Sequence, residues 1–418
     1  MTTLRNWAGN LTYAAAHIAR PASRQELADV IGESTSARVL GSRHSFNTIA
    51  DTPGTLISLE RMPRLCEIDR AAGVARVSGQ LTYGEVARAV DAEGYALANM
   101  ASLPHISVAG AVATGTHGSG DRNQGLAGAV RALTLMTADG GELTLRRGDP
   151  DFDGAVVNLG ALGAVTDVEL DLVPAFTVRQ RVYEGARWDE VASDLDAVTS
   201  LGYSVSLFTT WRSADAIDQI WVKRVDSDPS PEEALRALGA TPADGPRHPL
   251  PGVDASACTV QLDAPGPAGD RLPHFRQEFT PSNGDELQSE YLLPRSDAPD
   301  AIAALRALAG NSDSRIAALL QVCEIRTVAA DELWLSPAFE RDCVAFHFTW
   351  RPDQPAVEEF LPLLEAALPP VARPHWGKLH ARTDLAPLYP RWADMTTLRD
   401  RLDPRRVFVN DHLARLGF

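Results

Sequence analysis

Apolar and polar positions alternate with two different periods along the first third of the chain, and the switches between them mark short elements. Ser23-Arg24-Gln25-Glu26 has the form of a capping box, and Leu27, Val30 and Ile31 follow on one helical face. The run 37–40 is apolar or β-branched and ends at Gly41, and residues 55–59 and 74–77 read as further strands. Thr82-Tyr83-Gly84-Glu85 forms a second capping box, whose helix stops near Gly94. Residues 132–136 and 142–145 flank Ala138-Asp139-Gly140-Gly141, a hairpin signal, and 165–172 alternates as a strand. The pattern is α+β, without the regular βαβ array of a parallel sheet.

After Pro174 the elements lengthen. Residues 204–209 and 218–225 read as strands, and 231–238 and 298–308 as helices, which predicts a sheet with helices on one side. Residues 226–285 are rich in Pro, Gly and Asp and are expected to form long surface connections. The change of pattern places a domain boundary near residue 173, and no internal repeat is visible.

A chain of 418 residues exceeds one ordinary core, so two domains are the default. A net charge of -16 disfavours nucleic acid, which demands clustered Lys and Arg, and disfavours an anionic membrane surface. No apolar run reaches the length of about 18 residues that a spanning helix requires. Residues 1–10 lack a basic stretch followed by an apolar core, so no secretory signal is expected and the protein is expected to be cytoplasmic. Cys66, Cys258, Cys323 and Cys343 lie far apart with no C-x-x-C pair, which reads as scattered reduced thiols without a metal site.

Two segments carry candidate chemistry. Val39-Leu40-Gly41-Ser42-Arg43-His44-Ser45-Phe46 runs a strand into a turn of small residues, whose exposed N–H groups form an anion-binding nest. By itself it reads more readily as an ordinary turn with a satisfied histidine. The stretch from Ser102 to Gly120 has almost no bulky side chain after Ile106. It would make a poor core segment, yet suits a large flat ligand lying against the backbone with amides and hydroxyls gripping a pyrophosphate. Neither segment is a G-x-G-x-x-G or a G-x-x-x-x-G-K-[ST] motif, so a dinucleotide held by another framework is the inference.

These two segments, with Leu159-Gly160-Ala161-Leu162-Gly163-Ala164-Val165-Thr166, resemble the FAD-binding half of the vanillyl-alcohol oxidase superfamily, and within it the alditol oxidases. The similarity extends through 288–293, 323–330, 346–350 and 374–378. It implies a two-domain fold: an FAD-binding domain, 1–173 completed by 379–418, and a substrate domain, 174–378, with a mixed sheet covered by helices. It implies FAD attached covalently through its 8α position to His44. It places cofactor contacts at Val39, Leu40, Gly41, Ser42, Arg43, His44, Ser45, Ser102, Ser107, Gly110, Thr114, Gly115, Thr116, His117, Val165 and His375. Arg43 departs from relatives that carry glycine there; its charge is compatible with neutralising phosphate. No cysteine lies between Cys66 and Cys258, so a second flavin bond near the small-residue segment is not expected.

Strand period supplies the substrate side. Along residues 320–327, Glu324 and Arg326 fall on one face and Cys323 and Ile325 on the other. Along 344–350, His347 and Thr349 share a face opposite Phe346, Phe348 and Trp350. Such a polar face is commonly a solvated one; His-x-Thr between three aromatics is less typical of solvent. Pro374-His375-Trp376-Gly377-Lys378 reads by itself as a turn with an exposed lysine, and the resemblance implies instead that it carries Lys378 to the flavin. The C-terminal run 403–410 is expected to pack back on the FAD domain. His105, His248, His274 and His380 are expected to be structural or surface histidines.

The implied reaction is oxidation of the terminal hydroxyl of an alditol such as xylitol or sorbitol to the aldose, with hydride passing from carbon to flavin N5 and O2 reduced to hydrogen peroxide. Ser102, Glu324, Arg326, Thr349 and Lys378 are the expected substrate contacts, and Lys378, His347 and Arg326 the expected stabilisers of a developing alkoxide. The resemblance implies that Ala101 lies where oxygen must approach the flavin, and a small residue there suggests an oxidase. An aldonolactone oxidase of the same superfamily is the alternative; a non-catalytic binder or an oxygen-avoiding dehydrogenase are further ones. The partners expected are a small polyol and O2, with a monomeric protein, and no metal, nucleic acid or membrane.

Overall fold

The computed structural model describes residues 4–279, 286–311 and 315–418. Among them, the first part of the chain builds two small sheets. Thr55–Ser58 lies between His17–Ala19 and Ala37–Leu40 in a parallel sheet of three strands. An antiparallel sheet of five follows in the order Cys66–Asp69, Val74–Ser78, Ala164–Asp171, Val130–Met136, Glu142–Arg146. The helix Tyr83–Asp91 starts with a closed capping box: Glu85 N–H donates to the Thr82 hydroxyl, and Thr82 N–H donates to the Glu85 carboxylate at 2.8 Å. At the helix Arg24–Glu33 only half the box forms. Ser23 accepts from Glu26 N–H, but the Glu26 carboxylate takes the N–H of Ala22.

The later part builds one large sheet. Its main path runs Thr241–Pro242, Thr177–Glu184, Gln219–Val225, Ser204–Thr209, Leu320–Val328, Cys343–Trp350, Leu287–Pro294, Arg373–Pro374. Every pairing along it is antiparallel, where a mixed sheet was expected. One face is apolar: Val205, Leu207, Ile220, Val222, Cys323, Ile325, Phe346, Phe348 and Trp350 pack against Trp188, Ile302, Leu305, Phe360 and Leu364 of the covering helices. The large helices therefore occupy one side, and the central strands of the opposite face carry polar groups beside an apolar patch of Val182, Phe208, Trp221 and Val322. Register sets those groups in a row across four strands, with Phe208 opposite Glu324, Glu324 opposite His347, and His347 opposite Glu290. Directly opposed residues stand about 5 Å apart, so the row is a ready-made wall of a site.

Two connections close the molecule around that wall. The C-terminal run returns to the first sheet: Ala37 N–H donates to Val407 O at 2.8 Å, and Val407 and Phe408 join the core around Leu27, Ile31 and Ile57. The described part of 226–285 is less superficial than expected. Cys258, Thr259, Leu272 and His274 are buried, because low content of regular structure does not prevent a segment from packing. Residues 280–285 lie outside the described residues. No helix among the described residues is long and apolar enough to cross a membrane.

Candidate active site

A cleft runs between the small-residue segments and the polar face of the large sheet, enclosing about 1710 Å³ including its open mouth. One wall is the strand Ala37–Leu40 and the turn after it. Ser42 N–H donates to the Ser107 hydroxyl at 3.3 Å, and Ser107 N–H donates to the Ser42 hydroxyl at 3.1 Å, so the two segments are stitched reciprocally. Neither can carry a larger residue at its contact. A Cβ on Gly41 or Gly110 would stand 2.6 Å or 2.8 Å from the Ser107 hydroxyl oxygen. Arg38, buried behind this wall, donates to Leu159 O, Gly160 O and Phe408 O at 2.6, 2.9 and 2.6 Å and locks three chain segments together.

His44 lines the cleft and stacks on Trp7, with ring centroids 5.2 Å apart. Both of its ring nitrogens are buried without a hydrogen-bond partner among the described residues. Burial, with the nearby His105, pushes its pKa down to about 4, so the ring is neutral and nucleophilic near neutral pH. A buried imidazole with two orphaned nitrogens facing a cleft fits a covalently attached group and is costly without one. Arg43 adopts a left-handed conformation (φ 64), the conformation glycine adopts freely, and its side chain points outward to Arg5 O at 3.2 Å. Its guanidinium is thus spent on the N-terminal segment.

The facing wall centres on Glu290, a carboxylate only 1 % exposed. It accepts from Arg326 at 2.7 Å and from Lys378 at 2.6 Å, and His117 Nε2 lies 3.2 Å away but off the line of a good hydrogen bond. Burial alone would raise its pKa; Lys378, His117 and Arg326 outweigh that and hold it well below the usual carboxylate range. Lys378 is lowered, chiefly by burial and by Arg326, with Glu290 opposing. Its segment is docked on the wall that carries His44: Asn47 donates to Trp376 O and Lys378 O at 2.9 and 2.8 Å, and Phe46 N–H donates to Gly377 O at 2.8 Å. Arg326 also reaches the Ser102 hydroxyl at 3.3 Å. His347 is pushed down to about 3 by burial and by Lys378, so it is a neutral imidazole.

Glu324 is not hydrogen-bonded to Arg326, its neighbour on the same strand face. Arg326 Nε is 3.6 Å from Glu324 and makes no hydrogen bond; the guanidinium is committed to Glu290 instead. His274 holds Glu324, through Nε2 to Oε1 at 2.8 Å. Against burial, Arg326 and His274 keep this carboxylate below its usual range.

The cleft brings together Ala101, Ser102, Glu324, Arg326, His347, Thr349, His375 and Lys378 with Val39 through Ser45, Ser107, Gly110, Thr114, Thr116 and His117. Gly115 and Val165 do not reach its wall; Gly115 instead backs onto Pro337. Strand reasoning missed Glu290, although Gln288 and Glu290 alternate with Ser289 and Tyr291 in the same way as the strands that were read. It also missed His274, expected to be structural or superficial, because only the path of an irregular segment brings it to the cleft. His248 lines the mouth as well, while His105 bonds to Gln277 O and His380 to Arg382 O outside it.

Comparison with known proteins agrees with this geometry. A family model described as an FAD binding domain matches residues 15–146, and one described as D-arabinono-1,4-lactone oxidase matches residues 284–416. The chain is 48% identical over 422 residues to the alditol oxidase of a Streptomyces species, covering 99% of both chains. It is 30% identical over 432 residues to the L-gulono-1,4-lactone dehydrogenase of Mycobacterium tuberculosis, covering 98% of each. Among solved structures, cholesterol oxidase from B. sterolicum superposes with a TM-score of 0.76 at 13% identity, over 99% of this chain and 96% of that one, a likeness of fold.

Proposed function

The chain belongs to the alditol oxidase family of FAD-dependent, vanillyl-alcohol-oxidase-type flavoenzymes, and from that membership we propose that it oxidises the terminal hydroxyl of small alditols to the aldose with release of hydrogen peroxide. The observation that carries this reading is the wall opposite His44, where two cations converge on Glu290 beside a second carboxylate, Glu324. A polyol offers only hydroxyls, and a wall of charged donors and acceptors matches them; a substrate without hydroxyls leaves those buried groups unpaired. When bound, the flavin supplies the redox chemistry, taking hydride from the carbinol carbon and passing electrons to O2.

The residues supply binding and charge. Lys378 and Arg326 stabilise the carbinol oxygen as it becomes negative, and His347, a neutral imidazole on the same cleft wall, takes the proton it loses. Glu324 accepts from the neighbouring hydroxyls, and Ser102 and Thr349 do either. The division into a cofactor unit, 1–173 with 379–418, and a substrate unit, 174–378, is supported by the separate sheets of the two parts. Oxygen uptake and peroxide release with xylitol and sorbitol test the function. A lactone oxidase is the second reading, favoured by the family match over residues 284–416. Turnover of a sugar lactone with no response to any alditol would install it in place of the first.

The orphaned nitrogens of His44 support a covalent histidyl link. Yellow colour and fluorescence are expected to stay with the polypeptide after acid denaturation, and His44→Ala is expected to release its flavin. Free flavin from the unmodified protein removes the link.

Ala101, buried on the cleft wall just before Ser102, is assigned to oxygen access. Its methyl group leaves a route that a branched side chain narrows. Ala101→Val is expected to slow reoxidation by O2 in stopped flow while anaerobic reduction by polyol changes much less. Equal slowing of both half-reactions would defeat the assignment.

A further inference from the structure

Lys223 is 1 % exposed, yet no carboxylate among the described residues touches it. Its ammonium donates to Leu272 O, to Pro273 O at 3.2 Å and to His274 Nδ1 at 3.0 Å, which uses all three of its hydrogens. A protonated lysine has no lone pair, so His274 Nδ1 must accept. His274 is pushed down to about 4, first by burial and then by Lys223, and is therefore neutral with one ring hydrogen. That hydrogen must sit on Nε2, where it donates to Glu324 Oε1 at 2.8 Å. The edges of Phe208 and Trp221, with centroids 5.6 and 5.3 Å away, fix the plane of the ring.

We propose that Lys223 and His274 are positioning residues for substrate recognition: Lys223 locks the His274 tautomer so that Glu324 stays charged and keeps its second oxygen for a substrate hydroxyl. That second oxygen, Oε2, is 3.6 Å from Arg326 Nε and 3.9 Å from His347 Nδ1, beyond hydrogen-bond distance of either. Glu324 itself lines the cleft. The same segment sets the neighbouring contact: His274 and Phe275 N–H both donate to Ser102 O, at 3.1 and 3.2 Å. If the lysine loses its proton, the amine can accept from His274 Nδ1–H instead. Nε2 then turns a lone pair toward the charged Glu324, the 2.8 Å hydrogen bond is lost, and the carboxylate is no longer held for a substrate hydroxyl.

The groups facing Lys223 are Glu324 and Arg326 on one strand, and Cys258 and His274 on the irregular segment. Cys258 is pushed up to about 12 by burial and stays a neutral thiol, so it offers no counter-charge near neutral pH. Burial pushes Lys223 down to about 7 against the pull of Glu324. The competent form carries the protonated lysine, so polyol affinity falls as pH rises through that value.

The proposal deepens the polyol-oxidising reading of this site, and its test separates the two. In the flavin-loaded enzyme without polyol, 15N-histidine NMR is expected to show His274 with bare Nδ1 and protonated Nε2. Lys223→Met is expected to lose that single tautomer while retaining its flavin. With polyol, Lys223→Met is expected to raise KM about tenfold, the worth of one hydrogen bond to a charged group, with the limiting rate of anaerobic reduction much less changed. A rise of KM with pH is expected in the parent and is expected to vanish in Lys223→Met. His274→Phe is expected to match Lys223→Met, and His274→Gln, which can still donate to Glu324, to recover most of the affinity. A proton on His274 Nδ1 in the parent, or a pH-dependent KM unchanged in Lys223→Met, overturns the proposal. A locked tautomer in an enzyme that no polyol reduces overturns the substrate reading and supports the lock.

Discussion

Lys378→Met is expected to slow anaerobic reduction of the flavin by polyol about 10²–10³-fold, the usual consequence of removing one preorganised donor from a site of developing charge. The lysine is buried beside the cleft, tied at its Nζ to Glu290 and at its backbone to Asn47, so its charge is held in place before substrate arrives. Methionine preserves the bulk of the side chain and removes the charge. The loss is expected in the limiting rate of reduction more than in KM, because the charge is needed most when the carbinol oxygen loses its proton. Reoxidation by O2, measured separately in stopped flow, shows whether the same lysine serves that step. A variant that polyol reduces at the parental rate would remove Lys378 from the chemistry.

The second large effect is expected at Glu290. Glu290→Ala leaves Arg326 and Lys378 buried together without their shared counter-ion, and breaking a buried pair in this way costs about 3–5 kcal/mol. Both the stability and kcat/KM are expected to fall, since the two cations repel and no longer converge on the cleft. Glu290→Gln retains the shape and one acceptor and is expected to lose less stability. The pH dependence follows from the direction of the shift. The pKa of Glu290 is held below its ordinary value, so its contribution is full above the ordinary carboxylate range and is lost as pH falls through the lowered value. The difference in unfolding free energy between parent and Glu290→Ala is therefore expected to be largest near neutral pH and to shrink in acid. Denaturant titrations at both pH values measure it, and a difference that grows in acid would contradict the assignment of a charged Glu290.

What the chain dictates locally was legible without the fold. The alternation along Leu320–Val328 and Cys343–Trp350 puts Glu324, Arg326, His347 and Thr349 opposite Cys323, Ile325, Phe346 and Phe348, and the sheet keeps that assignment because its helices cover only the apolar side. The small-residue run after Ser102 and the turn at His44 announced a backbone-gripped ligand, since their steric need for Gly and Ser is written residue by residue. The capping box at Thr82 closed for the same reason: its partners lie within one turn.

What depended on register or on the path of irregular chain was decided only in three dimensions. Arg326 could be paired with Glu324 two residues along its own strand. The structure pairs it with Glu290 instead, because that strand's neighbour, Cys343–Trp350, brings Leu287–Pro294 to its other side. Alternation names a face but not which strand lies beside which. Lys223 and His274 meet because Gln219–Val225 lies in the sheet beneath the segment around 272–275, and nothing in a Pro-rich run reports where it will pack. Arg43 stands in a left-handed turn that favours glycine, a strain supported by contacts from the distant N-terminal segment. Side-chain direction has a fixed period along a strand, so the order of residues set which groups of Leu320–Val328 and Cys343–Trp350 share a face. Which charges neutralise one another was settled by packing, because Coulomb and hydrogen-bond energies depend on distances that the order of residues does not contain.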